Sequence, residues 1–219
     1  MPREARPLDR DGGTRVRDAS LVVIASEDRY AVPQYFGRIS SPFVQIVVLP
    51  TLAGDSSPAG VLRRLDEFRQ RYSLLPADRL WLCLDTDHWI EPDHVPALHR
   101  VLSECHGRGY RVALSRPCFE FWLLLHFTAQ PLVSDSTAGK IPLTQPTCFQ
   151  IETRLREVVG TYNKRRVDLL PLTEERVRAA IERARSEWDA PDGDIPDHPA
   201  TAVHRILDEI ERRGAFAFR

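Results

Sequence analysis

The chain has 219 residues, of which 42% are apolar, and its 30 Lys and Arg residues nearly balance its 31 Asp and Glu residues. This length and apolar content predict an α/β domain, with or without a smaller appendage, and argue against a disordered chain. The balanced charge does not indicate a nucleic-acid partner, so any such affinity must come from a local basic patch.

The cysteines and the first residues predict a soluble, cytoplasmic protein. Cys83, Cys105, Cys118 and Cys148 form no Cys-x-x-Cys pair, which favours reduced thiols over a disulfide framework or a zinc ribbon. Residues 1–19 are polar and lack the apolar segment of a signal peptide, and no apolar run is long enough to span a membrane. We therefore expect 1–19 to be a loose N-terminal arm.

Four short apolar runs predict buried strands, and segments with helical spacing follow the last three. The predicted strands are 21–25, 43–50, 79–84 and 110–115, and the predicted helices are about 58–72, 93–106 and 117–127. Because the strands are continuously apolar, we expect a mostly parallel sheet covered by helices on both faces. The prediction is an α/β, Rossmann-like core over residues 20–128.

The pattern changes after Phe127. A stretch containing Pro, Ser and Thr precedes three segments with helical spacing, about 149–161, 173–189 and 200–213. We predict that residues 129–219 form a helical extension that packs on the core.

Acidic side chains directly follow two of the predicted strands. Glu27 and Asp28 follow the first strand, and Asp85 and Asp87 follow the third. The carboxyl ends of parallel strands share one edge of the sheet, where ligands bind, and carboxylate oxygens hold hard cations such as Mg²⁺. We expect Asp85 and Asp87 to bind the ion and Glu27 to be a further ligand or general base. The alternatives are turn capping and an exposed acidic loop.

Glu120 lies in a predicted helix that has almost no polar face. Because burying an unpaired carboxylate is costly, we expect Glu120 to be neutral, to pair with an arginine such as Arg116, or to face the site from the helix start. Arg116 is also a candidate to hold a substrate phosphate. Cys118 is an activated thiol or a packed cysteine, and the packed cysteine is favoured.

Further polar residues are candidates for substrate contact. His88 adjoins Asp87, so it is a candidate general acid, phosphate contact or ligand of a softer metal, against a plain surface role. The basic tract of Lys164, Arg165 and Arg166 is a candidate nucleic-acid contact. Arg and Glu alternate around this tract, which favours a solvated, salt-bridged face.

The order of these acids, a Glu followed two strands later by Asp-x-Asp, resembles the Toprim catalytic domain. Four segments of the chain are similar to the RloB-like family of bacterial defence proteins: 22–36, 82–88, 114–127 and 198–210. The segment 114–127, LSRPCFEFWLLLHF, resembles a long and specific signature of that family.

This resemblance implies a Toprim-like fold and a nuclease, dependent on Mg²⁺ or Mn²⁺, that cuts RNA, including transfer RNA, or DNA. It implies Glu27, Asp85, Asp87 and Glu120 as catalytic acids. It also implies an ABC- or AAA-type ATPase partner, encoded nearby, in an anti-phage abortive-infection system, and it leaves a homo-oligomer open.

Two positions depart from the family's pattern, and two alternatives stay open. Asp28 stands where the family usually has Gly, and Val32 where it usually has a second Glu. These departures suggest a catalytically weakened regulatory or binding subunit as one alternative. A haloacid-dehalogenase-like phosphatase is the other, because its Asp-x-Asp also follows a strand. Trp89, where those phosphatases have Thr or Val, weighs against it.

Overall fold

Strands and helices alternate through most of the chain. A computed structural model describes residues 19–51, 56–129, 133–136, 139–142 and 145–219, so almost all of the predicted N-terminal arm lies outside the described residues. The strands are β1 (Ser20–Ser26), β2 (Ile39–Ser40), β3 (Val44–Leu49), β4 (Arg79–Asp85), β5 (Arg111–Arg116), β6 (Val133–Ser136), β7 (Gly139–Pro142), β8 (Ala200–Thr201) and β9 (Ala217–Phe218). The helices are α1 (Ala31–Phe36), α2 (Pro58–Arg71), α3 (Val95–Gly107), α4 (Phe119–Leu125), α5 (Cys148–Val159), α6 (Glu174–Glu187) and α7 (His204–Glu211), with a 3₁₀ helix at Lys164–Leu169.

A five-stranded, mostly parallel sheet forms the centre of the fold, in the order β3-β1-β4-β5-β8. The first four strands of this order are parallel to one another, and β8 is antiparallel to β5. The expected α/β, Rossmann-like architecture is therefore confirmed. In addition, β2 pairs with β9, and β6 pairs with β7, in two small antiparallel sheets.

The strand β1 shows why its sequence is apolar without interruption. Val22 and Ile24 belong to a core cluster that includes side chains of α1, α4 and the C-terminal helices. Leu21, Val23 and Ala25 belong to a second cluster, formed with α2 and α3 on the other face of the sheet. All five side chains are fully buried. Burial on both faces removes the alternation of polar and apolar residues that marks a half-exposed strand.

The helices after the strands follow the predicted apolar spacing, with shifts at their ends. Ser57 caps α2, since its side chain accepts a hydrogen bond from Gly60 N at 3.1 Å, and Pro58 occupies the first position. The helix α4 is shorter than predicted, at 119–125, but all seven of its residues are buried. Among the described residues, no helix has the length and apolar character needed to cross a lipid bilayer.

The C-terminal region contributes to the central sheet. The predicted helix over 200–213 begins only at His204, because Ala200 and Thr201 pair with β5 as the edge strand β8. The side chains of Ser115 and Thr201 join the two strands through a hydrogen bond of 2.9 Å. A two-residue strand is too short to show a period of its own, so the sequence pattern of the following helix also covers Ala200 and Thr201.

The last turn before Phe127 contains a buried histidine. The side chain of His126 is 2% exposed; its Nδ1 lies 2.9 Å from Trp122 O, and its Nε2 lies 3.1 Å from Tyr35 Oη. Burial lowers the pKa of His126 to about 3 because the charged imidazolium would lose its hydration. His126 is therefore neutral in the folded protein across the neutral range.

We expect His126 to make the protein less stable in acid. Between pH 6.5 and about 3 the unfolded chain binds a proton at His126 that the folded chain does not, so stability is lost as the pH falls through this window. From pH 6.5 to 5 this loss is about 2 kcal/mol. Urea unfolding of wild type and His126→Gln at both pH values measures the difference, with His99→Gln on the exposed side of α3 as control. Parallel pH profiles for wild type and His126→Gln would contradict it.

Candidate active site at the carboxyl edge of the sheet

The ends of β1 and β4 bring Glu27 beside Asp85. These strands are parallel neighbours in which Ser26 aligns with Cys83, so both acids leave the sheet at the same edge. Glu27 Oε1 accepts a short hydrogen bond from Asp85 N, and Glu27 Oε2 accepts one from Trp89 Nε1 at 3.3 Å. A side chain from one strand end therefore caps the backbone of the other.

The segment between β5 and α4 holds the Asp-x-Asp turn in place. Thr86 N donates to Ser115 O at 2.9 Å and to Pro117 O at 3.0 Å, and Asp87 N donates to Pro117 O at 3.1 Å. Thr86 is completely buried. The turn after β4 is thus fixed by backbone hydrogen bonds to the next strand end, which orients the carboxylates on either side of Thr86.

The two carboxylates of this turn have different partners. Asp85 Oδ1 accepts a hydrogen bond from Phe119 N, the first residue of α4, at 2.8 Å. Asp87 Oδ1 accepts one from His88 N at 2.9 Å, and Asp87 Oδ2 accepts one from Cys148 Sγ at 3.1 Å. Asp85 is therefore tied to α4, and Asp87 is tied to the start of α5.

Glu120 is completely buried and faces this cluster from α4. Its Oε1 accepts a hydrogen bond from Tyr162 Oη at 2.9 Å and lies 3.2 Å from Lys164 Nζ. Its Oε2 has no hydrogen-bond partner among the described residues. The positively charged partner is therefore Lys164 and not Arg116, whose guanidinium donates to Pro196 O at 2.6 Å instead.

Lys164 joins Glu120 to Asp28, a link that the sequence did not predict. Lys164 Nζ lies 2.9 Å from Asp28 Oδ2, and the Asp28 side chain is 3% exposed. Asp28 Oδ1 accepts hydrogen bonds from Tyr30 N at 2.6 Å and Ala31 N at 2.5 Å, at the start of α1. Asp28 therefore holds a helix start and a lysine, which explains an acid at this position without a ligand role.

The electrostatics of this acid cluster, defined as Glu27, Asp28, Asp85, Asp87 and Glu120, follow from burial. Burial raises the pKa of Glu27 to about 7, against the opposing hydrogen bonds from Asp85 N and Trp89. Burial also raises the pKa of Asp85 well above its usual range, and the charges of Glu27 and Glu120 raise it further. Glu27 and Asp85 therefore keep a proton to a higher pH than free carboxyl groups do, because burial and the neighbouring acids disfavour their charged forms.

The Lys164 ammonium group faces these acids. Burial alone would lower the pKa of Lys164, but the charges of Glu120, Asp28 and Asp85 outweigh it and raise this pKa overall. The lysine therefore stays protonated at any physiological pH and supplies a permanent positive charge to the cluster.

The other candidates lie at the border of the cluster or outside it. The His88 side chain is 78% exposed, and its Nε2 lies 3.6 Å from Asp87 Oδ2. The Arg165 guanidinium lies over the ring of Tyr30, 5.3 Å from its centroid, and Arg166 pairs with exposed Asp168 at 3.1 Å. Cys118 is buried, which raises the pKa of its thiol well above the usual value, as expected for a packed cysteine.

Three side chains of the site carry no sequence signal of their role. Trp89 donates a hydrogen bond to Glu27, Cys148 donates one to Asp87, and Tyr162 donates one to Glu120. Only Trp89 adjoins a motif. Tyr162 has the spacing of an apolar helix residue, and 42 positions separate it from Glu120. Such contacts are made by folding and leave no local pattern.

The carboxylate oxygens of the cluster are the kind of ligand that a hard divalent cation binds, but they do not converge on one point. All candidate ligand atoms are carboxylate oxygens, which Mg²⁺ and Mn²⁺ prefer. Glu120 Oε2 is buried and accepts no hydrogen bond from a described residue. Among the described residues, however, no group of three or more His, Cys, Asp or Glu side chains is arranged to hold a metal ion. Glu27 and Asp85 instead accept hydrogen bonds from the backbone.

Comparison with known proteins identifies a family. No curated protein and no solved structure matches this chain. A family model described as RloB-like protein matches residues 22–210. This match begins within β1, ends within α7 and includes every acid of the cluster as well as Lys164. Since it covers most of the 219 residues, the chain belongs to the RloB-like family.

Proposed function

We propose that this protein is a metal-dependent nuclease of the Toprim type, which hydrolyses phosphodiester bonds in RNA, including transfer RNA, or in DNA. The observation that carries the proposal is the contact between Glu27 and the Asp85 backbone at the edge of the sheet, with raised pKa values for both carboxyl groups. Clustered acids with perturbed pKa values at the carboxyl ends of parallel strands are typical of functional sites.

The residues of the acid cluster have separate roles in this proposal. Glu27, Asp85 and Asp87 would hold Mg²⁺ or Mn²⁺, which stabilises charge on a phosphate and activates water when it is bound. A pKa of about 7 suits Glu27 to accept a proton near neutral pH. Lys164 holds Glu120 and Asp28 in place and adds a fixed positive charge where a phosphate would approach.

Family membership supports a wider setting for this activity. The RloB-like resemblance implies an effector of an anti-phage abortive-infection system, paired with an ABC- or AAA-type ATPase encoded nearby. We extend the proposal to this setting. Co-expression with the neighbouring ATPase gene, followed by pull-down, tests it: a stable complex that cleaves nucleic acid supports it, and failure to associate contradicts it.

Two observations favour a second function. The described side chains form no metal-ligand group, and Asp28 is engaged at the start of α1, as expected for a binding or regulatory subunit without catalysis. A tight complex with the ATPase that never cleaves nucleic acid, with any divalent cation, would support this alternative.

The phosphatase alternative requires a covalent aspartyl intermediate at Asp85, and trapping with a fluoride phosphate analogue would detect it.

Cleavage assays with variants of two acids test the proposed nuclease. Total RNA, transfer RNA, single-stranded DNA and duplex DNA are incubated with Mg²⁺, Mn²⁺ or EDTA, with the chain alone and with its ATPase. We expect cation-dependent cleavage by wild type, and losses of at least about 100-fold in Asp85→Ala and Glu27→Ala, because a bound divalent cation contributes several kcal/mol and 1.4 kcal/mol is tenfold in rate.

The matched control is an exposed acid far from the cluster. Glu175 lies in the first turn of α6, so Glu175→Ala removes the same kind of charge without touching the site, and we expect it to cleave like wild type. Equal activity in wild type, Asp85→Ala and Glu27→Ala would remove the proposal.

A further inference from the structure

Two arginines lie over the ring of Tyr30, beside the acid cluster. The Arg165 guanidinium is 5.3 Å from the ring centroid, and the Arg29 guanidinium is 5.6 Å from it. Tyr30 is half-buried at the start of α1, whereas both arginines are exposed. We call these three residues the arginine clamp.

Two short segments connect the arginine clamp to the acid cluster. Arg29 and Tyr30 directly follow Asp28, and Arg165 directly follows Lys164. Lys164 Nζ lies 2.9 Å from Asp28 Oδ2, so this ion pair joins the two segments at the cluster, and the contact of Arg165 with Tyr30 joins them again next to it. Because the first segment follows the end of β1, the clamp lies at the carboxyl edge of the sheet, as the acids do.

The backbone of the arginine clamp is fixed by further hydrogen bonds. Arg165 N donates to Asn163 Oδ1 at 2.9 Å, and Arg165 O accepts from Gln34 Nε2, on α1, at 3.0 Å. Tyr30 N donates to Asp28 Oδ1 at 2.6 Å. Both segments are therefore held in place before a ligand binds, which reduces the entropy that binding costs.

The two arginines of the clamp have no acidic partner among the described residues. Arg29 and Arg165 make no ion pair and no side-chain hydrogen bond with this part of the chain. Their neighbours differ, since Lys164 contacts two carboxyl groups and Arg166 pairs with Asp168 at 3.1 Å. The tyrosine ring attracts both guanidinium groups through its π-electrons but carries no net charge. Two positive charges therefore lie beside one ring, where they attract anions.

The chemistry of these two side chains suits a phosphate. The planar guanidinium group donates pairs of hydrogen bonds to phosphate oxygens. A nucleic acid carries phosphates at regular intervals, so a strand with one phosphate at Glu27 and Asp85 places further phosphates beside the cluster. On the side of α1, these phosphates meet the arginine clamp.

We propose that Arg29 and Arg165 bind backbone phosphates of a nucleic-acid strand, next to the phosphate at the acid cluster, and that Tyr30 positions the two guanidinium groups. The contacts are made to phosphates and not to bases, so they do not depend on the sequence of the strand. This inference rests on the proposed nuclease function for its ligand, but it concerns binding and not cleavage, so the two can fail separately.

Binding of labelled oligonucleotides without metal tests the arginine clamp. Fluorescence anisotropy in EDTA, with single-stranded RNA and DNA in two unrelated sequences each, compares wild type with Arg29→Gln, Arg165→Gln and the double variant. We expect each single substitution to weaken binding about 3- to 10-fold for every sequence, and to reduce the slope of log affinity against log salt by about 0.7, the value for one phosphate contact on a single strand. The double variant should lose about twice as much slope.

Further substitutions separate the arginine clamp from a general basic surface. Arg178→Gln, on α6, removes the same charge from a side chain that pairs with two acids outside the cluster, and it should bind like wild type. Arg166→Gln removes an exposed neighbour that pairs with Asp168, and it should weaken binding less than about 2-fold. Tyr30→Leu removes the ring and should weaken binding about 3-fold or more, whereas Tyr30→Phe keeps the ring and should restore most of that affinity.

Each other outcome overturns the arginine clamp. No binding by wild type up to about 100 μM, the weak end of non-specific affinities, would do so, as would wild-type affinity and salt slope in Arg29→Gln and Arg165→Gln. A loss in Arg166→Gln as large as that in Arg165→Gln would replace the clamp by a diffuse basic surface. A loss confined to one sequence would replace the phosphate contacts by base contacts.

The same measurements distinguish the clamp from the proposed function. Binding that depends on Arg29 and Arg165, in a protein without nuclease activity, would remove the proposed function and keep the clamp. Cleavage that depends on Asp85, with unchanged binding in both clamp variants, would do the reverse.

Discussion

Replacing Lys164 with methionine is expected to lower the free energy of unfolding by about 2–4 kcal/mol at neutral pH, because removing one partner of a buried ion pair leaves an uncompensated charge. Lys164 Nζ lies 2.9 Å from Asp28 Oδ2 and 3.2 Å from Glu120 Oε1, and both carboxyl groups are almost fully buried. The lysine itself is 41% exposed, so we place the effect below the top of the range for buried pairs. Methionine keeps the length and packing of the side chain.

The same substitution is expected to reduce cleavage more than stability alone explains. Without Lys164, Glu120 and Asp28 lose the cation that fixes them, and a phosphate that approaches the acid cluster loses a positive charge that would attract it. We expect a loss of at least about tenfold in kcat/KM per folded molecule, equivalent to 1.4 kcal/mol. Urea unfolding and steady-state cleavage of the same preparations measure the two effects.

Three variants separate the explanations for Lys164. Lys164→Arg keeps the charge and should retain most of the stability. Lys164→Met combined with Glu120→Gln should recover part of the lost stability, because the charge that became unpaired is also removed. Arg166→Met is the control, because it removes a neighbouring exposed cation whose ion-pair partner, among the described residues, is Asp168. If Lys164→Met is as stable as wild type, the ion pairs do not stabilise the fold; if only its stability falls, Lys164 is purely structural.

The central sheet could be predicted because its signals are local. Residues 21–25 and 80–84 are continuous apolar runs, as expected for strands of a sheet that is buried on both faces, and β1 indeed contributes to both core clusters. The helix predicted over about 58–72 is α2, which begins at Pro58 after its cap Ser57, a local signal for a helix start. Each of these features can be read within a window of a few residues.

The elements that were not predicted are too short to show a local sequence pattern. The helix α1 has six residues and contains Pro33, so it is too short to show the 3.6-residue period and includes a residue usually taken as a breaker. The strand β8 has two residues and exists only because Thr201 and Ala200 find partners on β5. Long-range pairing decides such elements, and single-sequence patterns do not encode it.

The candidate site divides in the same way. Glu27, Asp85 and Asp87 stood out because acids at the ends of apolar strands are locally unusual, and parallel pairing implied a common edge. The polarity of Glu120 in an apolar helix predicted a partner, but not which one. Lys164 lies in a basic tract that resembles a solvated surface, and its place between Glu120 and Asp28 depends on how the segment after α5 crosses the core.

Replacing Asp85 with asparagine is expected to stabilise the metal-free protein while it removes cleavage. Burial and the charges of Glu27 and Glu120 raise the pKa of Asp85 well above its usual range. The folded protein therefore keeps a proton on Asp85 at pH values where the unfolded chain has lost it, so stability falls as the pH rises above about 4, the unfolded value. Asparagine does not titrate, and its side-chain oxygen can still accept from Phe119 N. We expect a gain in the free energy of unfolding at pH 8 in EDTA, and a smaller gain at pH 5.

Divalent cations should make wild type more stable than Asp85→Asn, the reverse of the order expected without metal. This reversal would link the unfavourable burial of the Asp85 carboxyl group to its proposed role as a metal ligand. A cation that binds only the folded state at 100 times its dissociation constant adds about 2.7 kcal/mol, so Mg²⁺ or Mn²⁺ should raise the Tm of wild type and not that of Asp85→Asn. Asp66→Asn is the control with the opposite sign, because Asp66 has Arg108 and Tyr110 as partners and its removal should destabilise in EDTA and in Mg²⁺ alike. A metal-free Asp85→Asn that is less stable than wild type would show that the Asp85 carboxylate supports the fold, and an equal response of both proteins to Mg²⁺ would exclude Asp85 as a ligand.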